Sequence, residues 1–115
     1  MQITRIADAM PYEAPKHCDV RTLRLQGFDA SDANGFWVGL THLLPSGGAD
    51  MDATPLEKVY VVLDGEVTVV TEDGEQVLRR HDSCWLAPGE ARAVENRTND
   101  TASMLVVMPY GDGQR

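Results

Sequence analysis

The sequence predicts an all-β domain, and three observations carry the prediction. Short runs rich in β-branched and aromatic residues recur at about eight to twelve residues. Turn chemistry built from Asp, Gly, Asn and Pro separates them. Nowhere do apolar residues repeat at helical spacing over the eleven or so residues that a helix needs. A sandwich or a barrel is the architecture this pattern allows.

In chain order, residues 1–19 hold Pro11 and Pro15, which interrupt regular structure, so this segment is expected to wrap the surface or cross to a second subunit. Val20 to Gln26 alternates and predicts a half-buried strand. Residues 27–35 are a polar loop. Phe36 to Leu44 is a second strand, whose period of two puts Phe36, Val38, Leu40, His42 and Leu44 on one face and Trp37, Gly39, Thr41 and Leu43 on the other. Pro45 closes it, and 46–55 is expected to be an acidic loop.

Val59 to Leu63 is too short for a buried helix and predicts a buried strand. Asp64-Gly65 then offers the positive φ of a two-residue turn, so Glu66 to Thr71 is expected to return as a hairpin partner. A second Asp-Gly, at 73–74, leads into a strand over Gln76 to Arg79. Ser83 to Ala87, Ala91 to Asn96 and Ser103 to Met108 complete the set. The last is apolar on both faces, which places it centrally rather than at an edge.

The chain's 115 residues suffice for one domain and one core. A formal charge of −8 argues against nucleic acid as a partner, because phosphate backbones require a positive stripe. No apolar run has the length to span a bilayer, so no membrane partner is expected. Two cysteines, Cys18 and Cys84, lack metal or redox spacing and read as reduced thiols. With no apolar leader in its first residues, the chain is expected to be cytoplasmic.

Two stretches resemble the motifs of the cupin superfamily. That family's first motif runs glycine, five residues, His-x-His, three or four residues, glutamate, six residues, glycine. Counting back from Gly65 puts its glutamate at Lys58, its histidines at Thr54 and Asp52, and its first glycine at Ser46 beside Gly47 and Gly48. The second motif, aligned on Gly89 and Asn96, puts its histidine at Arg92, its proline at Ala87 and its first glycine at His81. The resemblance covers residues 36–108 and implies a single cupin-type jelly-roll β-barrel, and with it a homodimer.

In typical cupins the two histidines, the glutamate and the last histidine bind a divalent metal. Here Asp52, Thr54, Lys58 and Arg92 hold those places, and protonated Lys and Arg side chains are donors whose charge repels a cation. No metal at the usual site and no cofactor are therefore expected. If Lys58 and Arg92 point inward, two buried cations need partners: Asp52 or Glu57 from the chain, or a small anionic organic ligand, whose carboxylate suits the arginine fork. Arg92, Lys58, Asp52 and Trp85 are the expected substrate-binding residues.

For proton transfer the sequence offers His42, on a clear strand face and with an ordinary pKa near neutrality, while His17 and His81 look solvent-facing. Tyr60 lies two residues from Lys58 on the same face, so His42, Lys58 and Tyr60 form the expected catalytic set. The functional expectation is a metal-independent lyase or isomerase acting on a small carboxylate by acid–base chemistry. Three alternatives stand beside it: a non-catalytic binding barrel, a purely structural ion network, and a metal relocated to His42, Asp50, Asp52 and Glu57.

Overall fold

The structure, a computed structural model, describes residues 1–115 and is built almost wholly of strands. After a short 3-10 turn over Ile6–Asp8 come β1 (Pro11–Tyr12), β2 (His17–Gln26), β3 (Trp37–Asp52), β4 (Lys58–Asp64), β5 (Val67–Thr71), β6 (Gly74–Leu78), β7 (Ser83–Leu86), β8 (Arg92–Glu95) and β9 (Ala102–Met108). Every pairing is antiparallel. Strand order runs β6-β5-β8-β3-β9-β4-β7, with β2 on the remaining side of β3. This is the jelly-roll barrel that the motif resemblance implied, one of the two architectures that the strand spacing allowed. No helix is long and apolar enough to cross a membrane.

Strand β3 joins the two layers. Its first half, from Trp37 to Leu43, pairs with β9, and its second half, from Gly48 to Asp52, pairs with β8. The expected acidic loop over 46–55 is thus strand as far as Asp52, because a corner lets one strand serve both layers. Two glycines permit that corner. A Cβ on Gly47 would lie 2.2 Å from the Asp19 carbonyl oxygen, and one on Gly48 would lie 1.9 Å from that of Val94. Strand β2 turns the same corner through Asp19, whose φ is 51°.

Asp64-Gly65 does not close a hairpin. β4 pairs with β7 and β9, whereas β5 pairs with β6 and β8, so this turn carries the chain from one layer to the other. Gly65 is required there twice over, by its φ of 76° and by Ala102 packed 2.9 Å from where a Cβ would sit. The true hairpin is the next one, β5 to β6, with Thr71 opposite Gly74. β9 lies between β3 and β4, as its doubly apolar pattern required.

The core fills the space between the layers, around Leu43, Val62 and Val67. Burying each such side chain is worth roughly 1.5–3 kcal/mol. Asn96, 1 % exposed, ties the corner together. Its amide donates to the carbonyls of Leu43 and Asp100, and its Oδ1 accepts from the amide and hydroxyl of Thr98. The family's asparagine position is therefore structural here, since a buried amide must satisfy all its hydrogen-bonding atoms.

Candidate functional site

One end of the barrel stays open as a cavity of about 330 Å³. Alternation along each strand decides what reaches it. β4 sends in Lys58 and Tyr60, β3 sends Trp37, Thr41 and Leu43, β9 sends Met104 and Val106, and β8 sends Arg92. β2 adds His17 and Arg24, and the segment around β1 covers the rim with Tyr12 to Pro15.

Lys58 and Arg92 are both buried, 4 % and 6 % exposed. Arg92 donates through Nε to the Tyr60 hydroxyl oxygen at 2.7 Å and through Nη1 to the Asp50 carbonyl at 3.2 Å. Burial pushes the Tyr60 phenol up, with Arg92 pulling the other way, so the hydroxyl keeps a proton to donate. Lys58 takes part in none of the chain's four salt bridges. Burial and the neighbouring Arg92 charge both push its pKa below the lysine value, against a smaller opposing pull from Asp52.

Asp52 reaches the cavity, but its carboxylate pairs with Lys16 at 3.1 Å rather than with Lys58 or Arg92. That hydrogen bond holds its carboxyl below the usual range. Glu57, the other carboxylate considered for the two cations, instead accepts from the Trp85 indole at 2.9 Å. Two buried cations thus line one cavity without a carboxylate partner from the chain.

Two expected site residues lie elsewhere. His42 sits on the opposite face of β3 from the cavity, with Nδ1 2.9 Å from the Ser103 hydroxyl. Period two divides β3 correctly, but the inward face is the one with Trp37, Thr41 and Leu43, leaving Phe36 and Leu44 exposed with His42's row. Trp85, 59 % exposed, points outward from β7 at the barrel's edge. Neither lines the cavity.

The cavity histidine is His17, which heads β2 instead of facing solvent. Its Nδ1 lies 2.7 Å from the Pro15 carbonyl, an acceptor, so Nδ1 carries the hydrogen and a neutral ring keeps its lone pair on Nε2. Burial lowers its pKa, the Pro15 hydrogen bond opposes that, and Arg92 and Lys58 lower it further. The ring is thus held neutral near pH 7, with its Nε2 lone pair free to take a proton. His17 was missed because only its pairing with Ala49 across the corner brings it inward.

Arg24, also unforeseen, lies among three aromatic rings on the cavity wall, its Cζ 3.7 Å from the Tyr12 centroid, 3.9 Å from Phe28 and 4.7 Å from Trp37. Glu13, an exposed residue of the segment that covers the rim, is a second carboxylate-bearing residue at the cavity besides Asp52.

The positions at which the family resemblance implies a metal do not fit one. Lys58 and Arg92 bring charge of the wrong sign, and the Thr54 hydroxyl is engaged with the Leu56 carbonyl at 3.2 Å. No three His, Cys, Asp or Glu side chains converge to hold a metal, which includes the relocated set of His42, Asp50, Asp52 and Glu57.

Comparison with known proteins agrees with this architecture. The chain is 46% identical over 110 residues to Beta-D-galactosidase Rv1717 of Mycobacterium tuberculosis, covering 96% of this chain and 95% of that one. Among solved structures, it resembles the polyketide cyclase RemF from Streptomyces resistomycificus with a TM-score of 0.84 at 18% identity, over 95% of this chain and 79% of that one. It also resembles a predicted oxalate decarboxylase from Thermotoga maritima, with a TM-score of 0.77 at 18% identity, over 96% and 100% of the two chains. Residues 39–108 match the family model described as a cupin domain. With the barrel, both motif frames and that match in agreement, the chain belongs to the cupin family.

Proposed function

We propose that the cavity is the active site of an enzyme that uses no resident metal and acts by acid–base chemistry on a small organic molecule bearing an anionic group. The observation that carries this reading is the pair Lys58 and Arg92, two buried cations on one cavity with no carboxylate between them. A buried charge is costly until paired, and a bound carboxylate supplies the pairing. Arg92 is already fixed by Tyr60 and Asp50, which lowers the entropic cost of binding.

In this reading Lys58 and Arg92 hold the anionic group and stabilise charge that develops on it, Tyr60 donates its proton to an oxygen of the substrate, and His17 takes a proton through Nε2. His17 replaces His42 in that role. Lyase or isomerase chemistry next to a carboxylate needs no further group. A barrel that only binds such a ligand shares the two cations but makes no use of His17.

A second reading, glycoside hydrolysis, is favoured by the name of the Mycobacterium relative and by two carboxylates, Glu13 and Asp52, at the cavity. Hydrolysis of a glycosidic bond uses one carboxyl as acid and one ionised carboxylate as base or nucleophile. Asp52, kept ionised by Lys16, suits the second role, and Glu13 takes the first.

A thermal-shift screen of chelator-treated protein against small carboxylates, sugar acids, phosphates and β-D-galactosides separates the readings, because a ligand that binds the folded state raises the midpoint. A shift from acids, followed by turnover of one of them, supports the first. A response to neutral galactosides alone, with release of nitrophenol from nitrophenyl β-D-galactoside, replaces it with the second. No response to either class overturns both and leaves a barrel whose two buried cations bind nothing.

A further inference from the structure

We infer that Arg24 is a second anchoring site in the cavity, taking a carboxylate at the opposite end of the ligand from the group held by Lys58 and Arg92. The inference rests on the anion reading of the cavity and extends it to a two-ended acid.

Arg24 projects from β2 at its register with Gly39, while Lys58 and Arg92 approach from β4 and β8. Gly39 leaves room for this cluster, since a Cβ there would meet the Tyr12 hydroxyl at 2.7 Å and the Trp37 ring at 3.1 Å. The rings of Tyr12 and Trp37 meet edge to face at 5.9 Å, and those of Phe28 and Trp37 at 5.7 Å, so the aromatic walls brace one another. Phe28 is fixed in turn by Tyr110, whose hydroxyl accepts from the Phe28 amide at 3.1 Å.

These rings satisfy the faces of the guanidinium and do nothing for its N–H edge. Nη1 of Arg24 is buried with no hydrogen-bond partner, and it is the chain's single such buried side-chain atom. No salt bridge includes Arg24. The side chain as a whole is only partly buried and lines the cavity, so the rest of its planar donor edge, clamped by rings, stays open to a planar two-oxygen acceptor. Asp29 is near enough for its charge to act on the guanidinium, yet it makes neither an ion pair nor a hydrogen bond with it.

The test is a calorimetric titration of the chelator-treated full chain with two series of probes, monocarboxylates from acetate to hexanoate and dicarboxylates from malonate to suberate. The variants are Arg24→Met, Arg24→Lys and Lys58→Met. At least one dicarboxylate is expected to bind tenfold or more tightly than the monoacid of equal length. Arg24→Met should bring it down to the monoacid value and leave the monoacids unchanged, while Arg24→Lys recovers part of the difference. Dicarboxylates that bind no better than monoacids, or an Arg24→Met variant that binds both series as wild type does, overturn the inference and leave the Lys58 and Arg92 site standing. Dicarboxylate binding that is lost in Arg24→Met but indifferent to Lys58→Met overturns the anion role of Lys58 and upholds Arg24. No binding by either series overturns both.

Discussion

Arg92 donates to the Tyr60 hydroxyl at 2.7 Å inside the barrel, where one residue is 6 % and the other 3 % exposed. The bond fixes the guanidinium and leaves the phenolic proton free for a bound molecule. Tyr60→Phe removes the acceptor and strands a buried cationic N–H. It should lower stability by about 1–3 kcal/mol in chemical denaturation. Tyr60 also supplies the proton in the proposed chemistry, so the folded variant should bind acids and turn them over slowly.

Lys58 illustrates the opposite sign. Its ammonium is desolvated and sits near a like charge, so Lys58→Met should raise stability, by about 1–4 kcal/mol if the methionine packs well. Because its folded pKa is depressed, the folded chain gives up this proton before the unfolded chain does. Stability should therefore rise with pH between the depressed value and the ordinary lysine value, and that rise should vanish in Lys58→Met. Denaturation midpoints measured across the alkaline range check both statements.

The acid side belongs to His17. Its depressed pKa means that the unfolded chain binds the proton first, so its contribution is full above pH about 6.5 and is lost as pH falls below that. If it is the base, kcat/KM should fall on acidification with an apparent pKa under about 6.5. His17→Gln should abolish turnover and largely spare binding. His42→Ala, on the outer face of β3, should change neither, and a pH–rate profile of the three proteins distinguishes them.

The corner of β3 is the fold's least tolerant point. Gly48→Ala would bring a Cβ within 1.9 Å of a backbone oxygen on β8, and strand pairing leaves that oxygen little room to retreat. A loss of about 1–3 kcal/mol or more is expected, read as a lowered denaturation midpoint. Gly89→Ala has open space at its Cβ and should cost only its backbone strain at φ 80°.

Local chemistry made the strands legible. Val59 to Leu63 and Met104 to Met108 could be little else, and the motif frame then set Lys58 and Arg92 correctly as inward residues. Pairing partners were less legible. Asp64-Gly65 has the composition of a hairpin turn, and only the two-layer topology shows that it crosses between sheets. In β3 both faces carry large apolar residues, so alternation could separate His42 from Leu43 without saying which was inside. His17 and Arg24 gave no local signal at all. One enters through a register shift next to Asp19, and the other is defined by rings from residues 12, 28 and 37, which chain distance conceals.

The central claim is that Lys58 and Arg92 bind an anion without a metal. Its most direct test is the dissociation constant, by calorimetry on chelator-treated protein, of whichever acid gives the largest thermal shift, for wild type and for Lys58→Met. Wild type should bind without added metal and the variant at least tenfold more weakly, while being no less stable. Equal affinity in the two proteins, or binding that appears only when a divalent metal is restored, would contradict the account.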